Sequence, residues 1–175
     1  MSLTQYYTAT TLDGFIADPN HSLDWLFTRD RDPNGALSYE AFIADVGALA
    51  MGATTYEWIL EHGKGEWPYE LPSWVFTHRQ LPVPAAGIEL TSAPVRDVHE
   101  QLVAAAGGRN VWIVGGGDLV GQFADEGLLD EVLVTIAPVT LGAGAPLLPR
   151  RLELRLEEVA RNGDFACARY AVVRA

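Results

Sequence analysis

VWIVGGGDLVGQFADE, residues 111–126, is the stretch whose reading decides the fold. Val111 to Val114 is an apolar, β-branched run, the signature of a strand buried on both faces. Gly115, Gly116 and Gly117 follow without a break. Asp118 then opens a periodic segment through Leu119, Val120 and Phe123 that stops at Gly127. The pattern predicts strand, glycine turn, helix. Three glycines let a ligand approach the main chain closely. The free N–H groups of a helix start favour an anion, and a dinucleotide pyrophosphate is the expected guest. The stretch is not the GxGxxG fingerprint, so a plain tight turn capped by Asp118 is the competing reading. Gly117 is the expected key position, where a Val should abolish cofactor binding and spare the fold.

The chain has 175 residues, 49% of them apolar, enough for a sizeable core in a single domain over 1–175. Its one cysteine, Cys167, reads as a small core residue and fits a reducing cytoplasm. A net charge of −11 makes nucleic acid and anionic membranes poor partners, so an anionic ligand must be held by local donors. No basic region followed by an apolar run marks a secretory leader. No apolar run approaches the roughly 20 residues of a membrane helix. The histidines show no metal-ligand spacing; His21, His62 and His99 read as surface residues, and no metal is expected.

Residues 3–10 predict a strand, broken at Thr11-Leu12-Asp13-Gly14 and resumed by Phe15-Ile16-Ala17. Residues 18–35 form a long polar loop with an apolar knot at Leu23, Trp25, Leu26 and Phe27, which suits a packed lid. Ser38 caps a helix running to Val46, and 47–51 is a short buried strand. Gly52-Ala53-Thr54-Thr55 then opens a second helix, Tyr56 to Leu60, making a second strand–glycine–helix junction. Further strands are expected over Trp74–Thr77, Ile88–Thr91 and Asp130–Pro138, with a helix over Val95–Ala106 and a loop over Gly142–Pro149. Residues 151–160 and 165–173 alternate around Asn162-Gly163, a hairpin signal. The sum is an α/β protein: a mainly parallel sheet covered on both faces, with an antiparallel hairpin at its C-terminal edge.

Four segments in this order carry a family resemblance: TLDGFIA (11–17), ALAMGATTYEWI (48–59), WVFTHR (74–79) and the run from Val111 to Leu148. Together they resemble the dihydrofolate-reductase-like three-layer fold. The closer likeness is to the C-terminal reductase domain of the bifunctional riboflavin-biosynthesis deaminase/reductase, the RibD C-terminal family. No HxE…PCxxC deaminase motif is present. The resemblance implies NADPH and hydride transfer, as in 5-amino-6-(5-phosphoribosylamino)uracil reductase. By position it assigns Gly115, Gly116, Gly117, Asp118 and Leu119 to the pyrophosphate. Gly52, Thr54 and Thr55 would meet the phosphates at the second helix start. Thr77, His78 and Arg79 would lie by the adenosine ribose and its 2′-phosphate. Dihydrofolate reductases commonly carry a basic residue where this chain has Ala53, so Arg79 or His78 would supply that charge. Their folate-protonating carboxylate would fall near Ala36 and is missing, which argues against folate. The Glu usual in riboflavin-pathway reductases is replaced by Gly115. The resemblance also suggests a homodimer.

A reductase must supply one proton besides the hydride. Asp13, Asp24, Tyr39 and Glu40 are the candidates near the expected cleft. Asp13 and Glu40 are the catalytic choices, with a turn-forming Asp before Gly as the competing role for Asp13. Substrate contacts are expected from Thr11, Asp13, Trp25 and Tyr39, Trp25 doubling as a loop anchor. Two other functions fit the same residues. One is a nucleotide-binding domain without reductase chemistry; the other is a reductase that uses flavin or deazaflavin.

Overall fold

Strand β6 (Asn110–Gly115) sends alternate side chains into two separate cores, because successive Cβ atoms of a strand point to opposite faces. Val111 and Ile113 pack with Val98, Leu102 and Phe123 on one face. Trp112 and Val114 pack with Tyr7, Phe42 and Tyr56 on the other. An unbroken apolar run is therefore what this position requires, since neither face meets water.

The computed structural model describes residues 1–174. Ahead of β6 come β1 (Thr4–Thr11), β2 (Phe15–Ala17), α1 (Asp24–Phe27), α2 (Tyr39–Ala44), β3 (Val46–Gly52), α3 (Ala53–His62), β4 (Ser73–Phe76), β5 (Ile88–Thr91) and α4 (Val95–Ala106). After it come α5 (Gly117–Asp125), β7 (Glu131–Ala137), β8 (Ala145–Pro146), β9 (Leu154–Asn162) and β10 (Phe165–Val172). The main sheet has the order β5-β4-β3-β6-β1-β7-β10-β9. The first six strands are parallel, and β10 and β9 close the sheet antiparallel. Helices α4 and α5 cover one face, α2 and α3 the other. This is the three-layer α/β fold that the sequence predicts, with its C-terminal hairpin in place. Among the described residues no helix is long and apolar enough to cross a membrane.

The site follows from the connections. From β3 the chain runs through α3 to β4 on one side; from β6 it runs through α5 to β7 on the other. The neighbours β3 and β6 thus feed helices on opposite faces. A crevice must open between their carboxyl ends, which is where parallel α/β sheets hold ligands.

Several local expectations are corrected. Gly116, not Asp118, caps α5; Asp118 is its second residue. Helix α3 starts at Ala53 and ends at His62, beyond Tyr56–Leu60 at both ends. Val46 leaves α2 and joins β3, where it is fully buried. The 15–17 segment does not resume β1: it pairs antiparallel with β8 in a separate two-stranded sheet, inside the stretch expected to be plain loop. The apolar knot of the 18–35 loop does pack, with Trp25 and Leu26 against Ala137, Phe165 and Cys167.

Candidate active site

Helices α3 and α5 begin at Gly52 and Gly116, both extended (φ −81°, ψ 169° and φ −80°, ψ −177°), and neither start has a side-chain cap. Helix α2 differs, because Ser38 Oγ accepts a hydrogen bond from the Ala41 N–H. The first turns of α3 and α5 therefore keep N–H groups that no helix can satisfy internally, aimed at the crevice. Gly115 sits at φ +148°, a conformation that side chains rarely adopt. A Cβ on Gly52 would stand 3.8 Å from the Gly115 carbonyl oxygen, so the two junctions touch. A Cβ on Gly116 would meet nothing within 4 Å: the main chain there faces open space.

Gly117 differs from the expectation placed on it. A Cβ there would come within 2.5 Å of the Pro146 and Leu147 carbonyl oxygens. Its bareness serves the crossing of the 146–147 segment, and a Val would disrupt the fold rather than spare it. The open cradle is made by Gly116 and Gly52.

A cavity of about 920 Å³ opens from this cradle, in the range of cofactor and ligand sites. The expected residues Gly52, Thr54, Thr55, Gly115, Gly116, Gly117, Asp118 and Leu119 line one end. Tyr7, Tyr39, Tyr69 and Trp112 form an aromatic wall, and α1 contributes Leu26 and Phe27. Phe27 reaches across to Trp58 of α3, with ring centroids 6.2 Å apart, so the 18–35 loop arches over the cavity. Arg29, Arg31 and His21 also line it. His99, in contrast, is half-buried on the far side, its Nε2 2.8 Å from Thr4 Oγ1.

Other expected residues are elsewhere. Thr77, His78 and Arg79 follow β4 but do not line the cavity. Thr77 Oγ1 accepts a hydrogen bond from the Arg79 N–H, and the Arg79 guanidinium holds both Glu57 oxygens at 3.0 and 2.8 Å. Trp25 packs behind the wall as a loop anchor, not on the cavity. Asp24 is exposed and also outside it.

The two catalytic choices are tied down. Asp13 accepts hydrogen bonds from the Thr11 hydroxyl and from the N–H groups of Leu141 and Gly142. The Thr11 hydroxyl first, and then these amides, lower its pKa, so it stays a carboxylate. Thr11 and Asp13 thus fasten the 140–142 loop to the end of β1; neither lines the cavity. Glu40 grips Arg31 through two bonds of 2.7 Å, which hold its carboxyl down at about 2. Neither acid has a proton to give near neutral pH. Tyr39 is the one candidate donor that the fold brings to the cavity. Burial, then the Glu40 charge, push its phenol up, and the Tyr69 hydroxyl offsets part of that.

The wall residues Tyr7, Tyr69 and Trp112 escaped the sequence reading. For Trp112 a signal existed: strand alternation places it opposite Val111 and Ile113. Tyr69 lies in an aperiodic loop that gives no such cue.

The RibD C-terminal domain family matches residues 4–164. The uncharacterized protein YwjB of Bacillus subtilis (strain 168) is 32% identical over 174 residues, covering 95% of this chain and 96% of YwjB. A second uncharacterized protein of that organism, YyaP, is 26% identical over 162 residues, covering 85% of this chain and 82% of YyaP. A candidate riboflavin biosynthesis protein from Shewanella sp. PV-4 is similar in structure, with TM-score 0.83, 28% identity and coverage of 98% and 99% of the two chains. The fold is shared with a diaminohydroxyphosphoribosylaminopyrimidine deaminase/5-amino-6-(5-phosphoribosylamino)uracil reductase from Thermotoga maritima, at TM-score 0.66 and 14% identity, covering 98% of this chain and 57% of that one. By these matches, and by the two glycine junctions that meet at its crevice, the chain belongs to the RibD C-terminal domain family.

Proposed function

We propose that the protein is an NADPH-dependent reductase of a small heterocyclic substrate, similar in reaction to 5-amino-6-(5-phosphoribosylamino)uracil reductase. The single observation that carries this reading is the open cradle at Gly116, flanked by two uncapped helix starts. Paired phosphates match two adjacent sets of free N–H groups, and the family membership points to the same use. The residues present fit a dinucleotide: its pyrophosphate would rest on 52–55 and 115–119. When bound, a reduced nicotinamide supplies the hydride.

The chain's own residues do the rest. The aromatic wall of Tyr7, Tyr39, Tyr69 and Trp112 offers flat faces for a heterocycle. Tyr39 holds a proton on Oη for the substrate atom that gains charge, because its raised pKa keeps it protonated. The contact of Phe27 with Trp58 sets one edge of the cavity mouth. We place the protein in the cytoplasm as a homodimer; exposed Leu154, Leu156 and Val159 on edge strand β9 support the pairing.

Titration with NADPH, NADH and FMN, followed by NADPH oxidation assays with pyrimidines and pterins, tests the reading. NADPH binding with turnover of one heterocycle supports it. Binding without turnover on any of them favours a nucleotide-binding domain. FMN binding in preference to both nicotinamides overturns the cofactor assignment.

A further inference from the structure

Asp118 raises an electrostatic difficulty. It is the second residue of α5, so its carboxylate stands on the turn whose N–H groups face the cavity. Among the described residues that line the cavity it is the one acidic residue. An anion on that turn would share it with a like charge, in a protein of net charge −11.

The structure carries a device against this. Arg150 returns across α5 from the loop after β8, its Nη2 3.1 Å from one Asp118 oxygen and its Nε 2.9 Å from Asp125. Gln122 Nε2 donates to the other Asp118 oxygen at 3.0 Å. Both oxygens are thereby engaged along the helix. The Pro149 carbonyl accepts from Arg150 Nη1 at 2.9 Å, fixing the side chain from behind. Its path is built in: a Cβ on Gly121 would stand 2.8 Å from Arg150 Cγ, so only a bare position lets the arginine lie on the helix.

We infer that Arg150 is a positioning residue for the anionic ligand: by holding Asp118 along α5 it offsets part of the charge that would otherwise repel phosphate at the helix start. This rests on the dinucleotide reading above. It explains why an acidic residue can occupy the first turn of a phosphate-binding helix. Arg150 itself does not line the main cavity, so it acts through Asp118.

The test is a double-mutant cycle on the full chain, read by calorimetric titration with NADPH beside a thermal melt of each variant. Arg150→Met should weaken NADPH binding about tenfold, the size of one uncompensated like charge at short range in a screened site. The loss should shrink as salt rises. Asp118→Asn completes the cycle, and in the Arg150→Met background it should recover the affinity that the arginine variant alone loses. Should Arg150→Met not fold, Arg150→Gln keeps a donor without the charge and the same order is expected. Unchanged affinity in the arginine variant, or a loss that persists with Asp118→Asn, overturns the inference while leaving the dinucleotide reading intact. A wild-type chain that binds neither NADPH nor NADH overturns both.

Discussion

Gly52 and Gly116 face each other across neighbouring strand ends: a Cβ on Gly52 would lie 3.9 Å from the Gly116 amide nitrogen. Two helix starts on opposite faces of the sheet thus share one bare corner. A Val at Gly116 should fill that corner. NADPH affinity should fall by at least about tenfold, while the melting temperature stays within a few degrees, because a Cβ there meets no protein atom within 4 Å. Gly117→Ala should do the reverse. Its Cβ would press on two carbonyl oxygens, costing about 1–3 kcal/mol of stability in a denaturant titration. Equal melting of the two variants would contradict this division of labour.

The family resemblance assigns Arg79 to a 2′-phosphate, and in the structure Glu57 holds it outside the cavity. The pair is exposed, with side chains 58% and 46% accessible, so it exchanges readily for a better anion. Glu57→Gln should tighten NADPH about threefold and leave NADH unchanged. Arg79→Ala should erase the difference between the two nucleotides. Parallel titrations read both effects, and a change shared equally by NADH would remove Arg79 from that role.

Tyr39 and Glu40 are adjacent in sequence, yet Tyr39 lines the cavity while Glu40 is held by Arg31 outside it. Once a substrate is found, Tyr39→Phe should lower kcat about a hundredfold with little change in KM. Glu40→Gln should change kcat less than about threefold, since that carboxylate carries no proton to donate. Steady-state kinetics of the two variants decides the matter.

Acid should loosen the arch over the cavity. Glu40 titrates near 4.5 in an unfolded chain and at about 2 beside Arg31. A depressed folded pKa contributes stability above the unfolded value and loses it as pH falls toward the folded one. Melting temperature should therefore drop between about pH 4.5 and 2, less steeply in Glu40→Gln. Both side chains are 45% accessible, so the difference should fade at high salt. Identical pH profiles for variant and wild type would rule out the pair as the origin.

Much of the fold was legible in the chain. Val111–Val114 and the Val95–Ala106 periodicity announce a doubly buried strand and a one-sided helix, because burial acts on residues close in sequence. The glycines after β3 and β6 likewise mark both junctions. Less of the site could be read. Asp13, Glu40, Thr11 and Trp25 carry the residue types that chemistry and substrate contact use, yet Asp13 and Trp25 are committed to partners far along the chain, Thr11 to Asp13, and Glu40 to Arg31.

The sequence by itself determined the three-layer α/β order and the two glycine junctions. These follow from local hydrophobic period and from backbone freedom, which neighbouring residues set. Only the tertiary structure decided that Gly116 is open while Gly117 is filled by Pro146 and Leu147, and that Tyr39 rather than Glu40 reaches the cavity. It alone shows Arg150 laid over Gly121 onto Asp118. The physical reason is common to all three. A side chain's surroundings, and with them its charge and its room, are made by segments that arrive from distant parts of the chain.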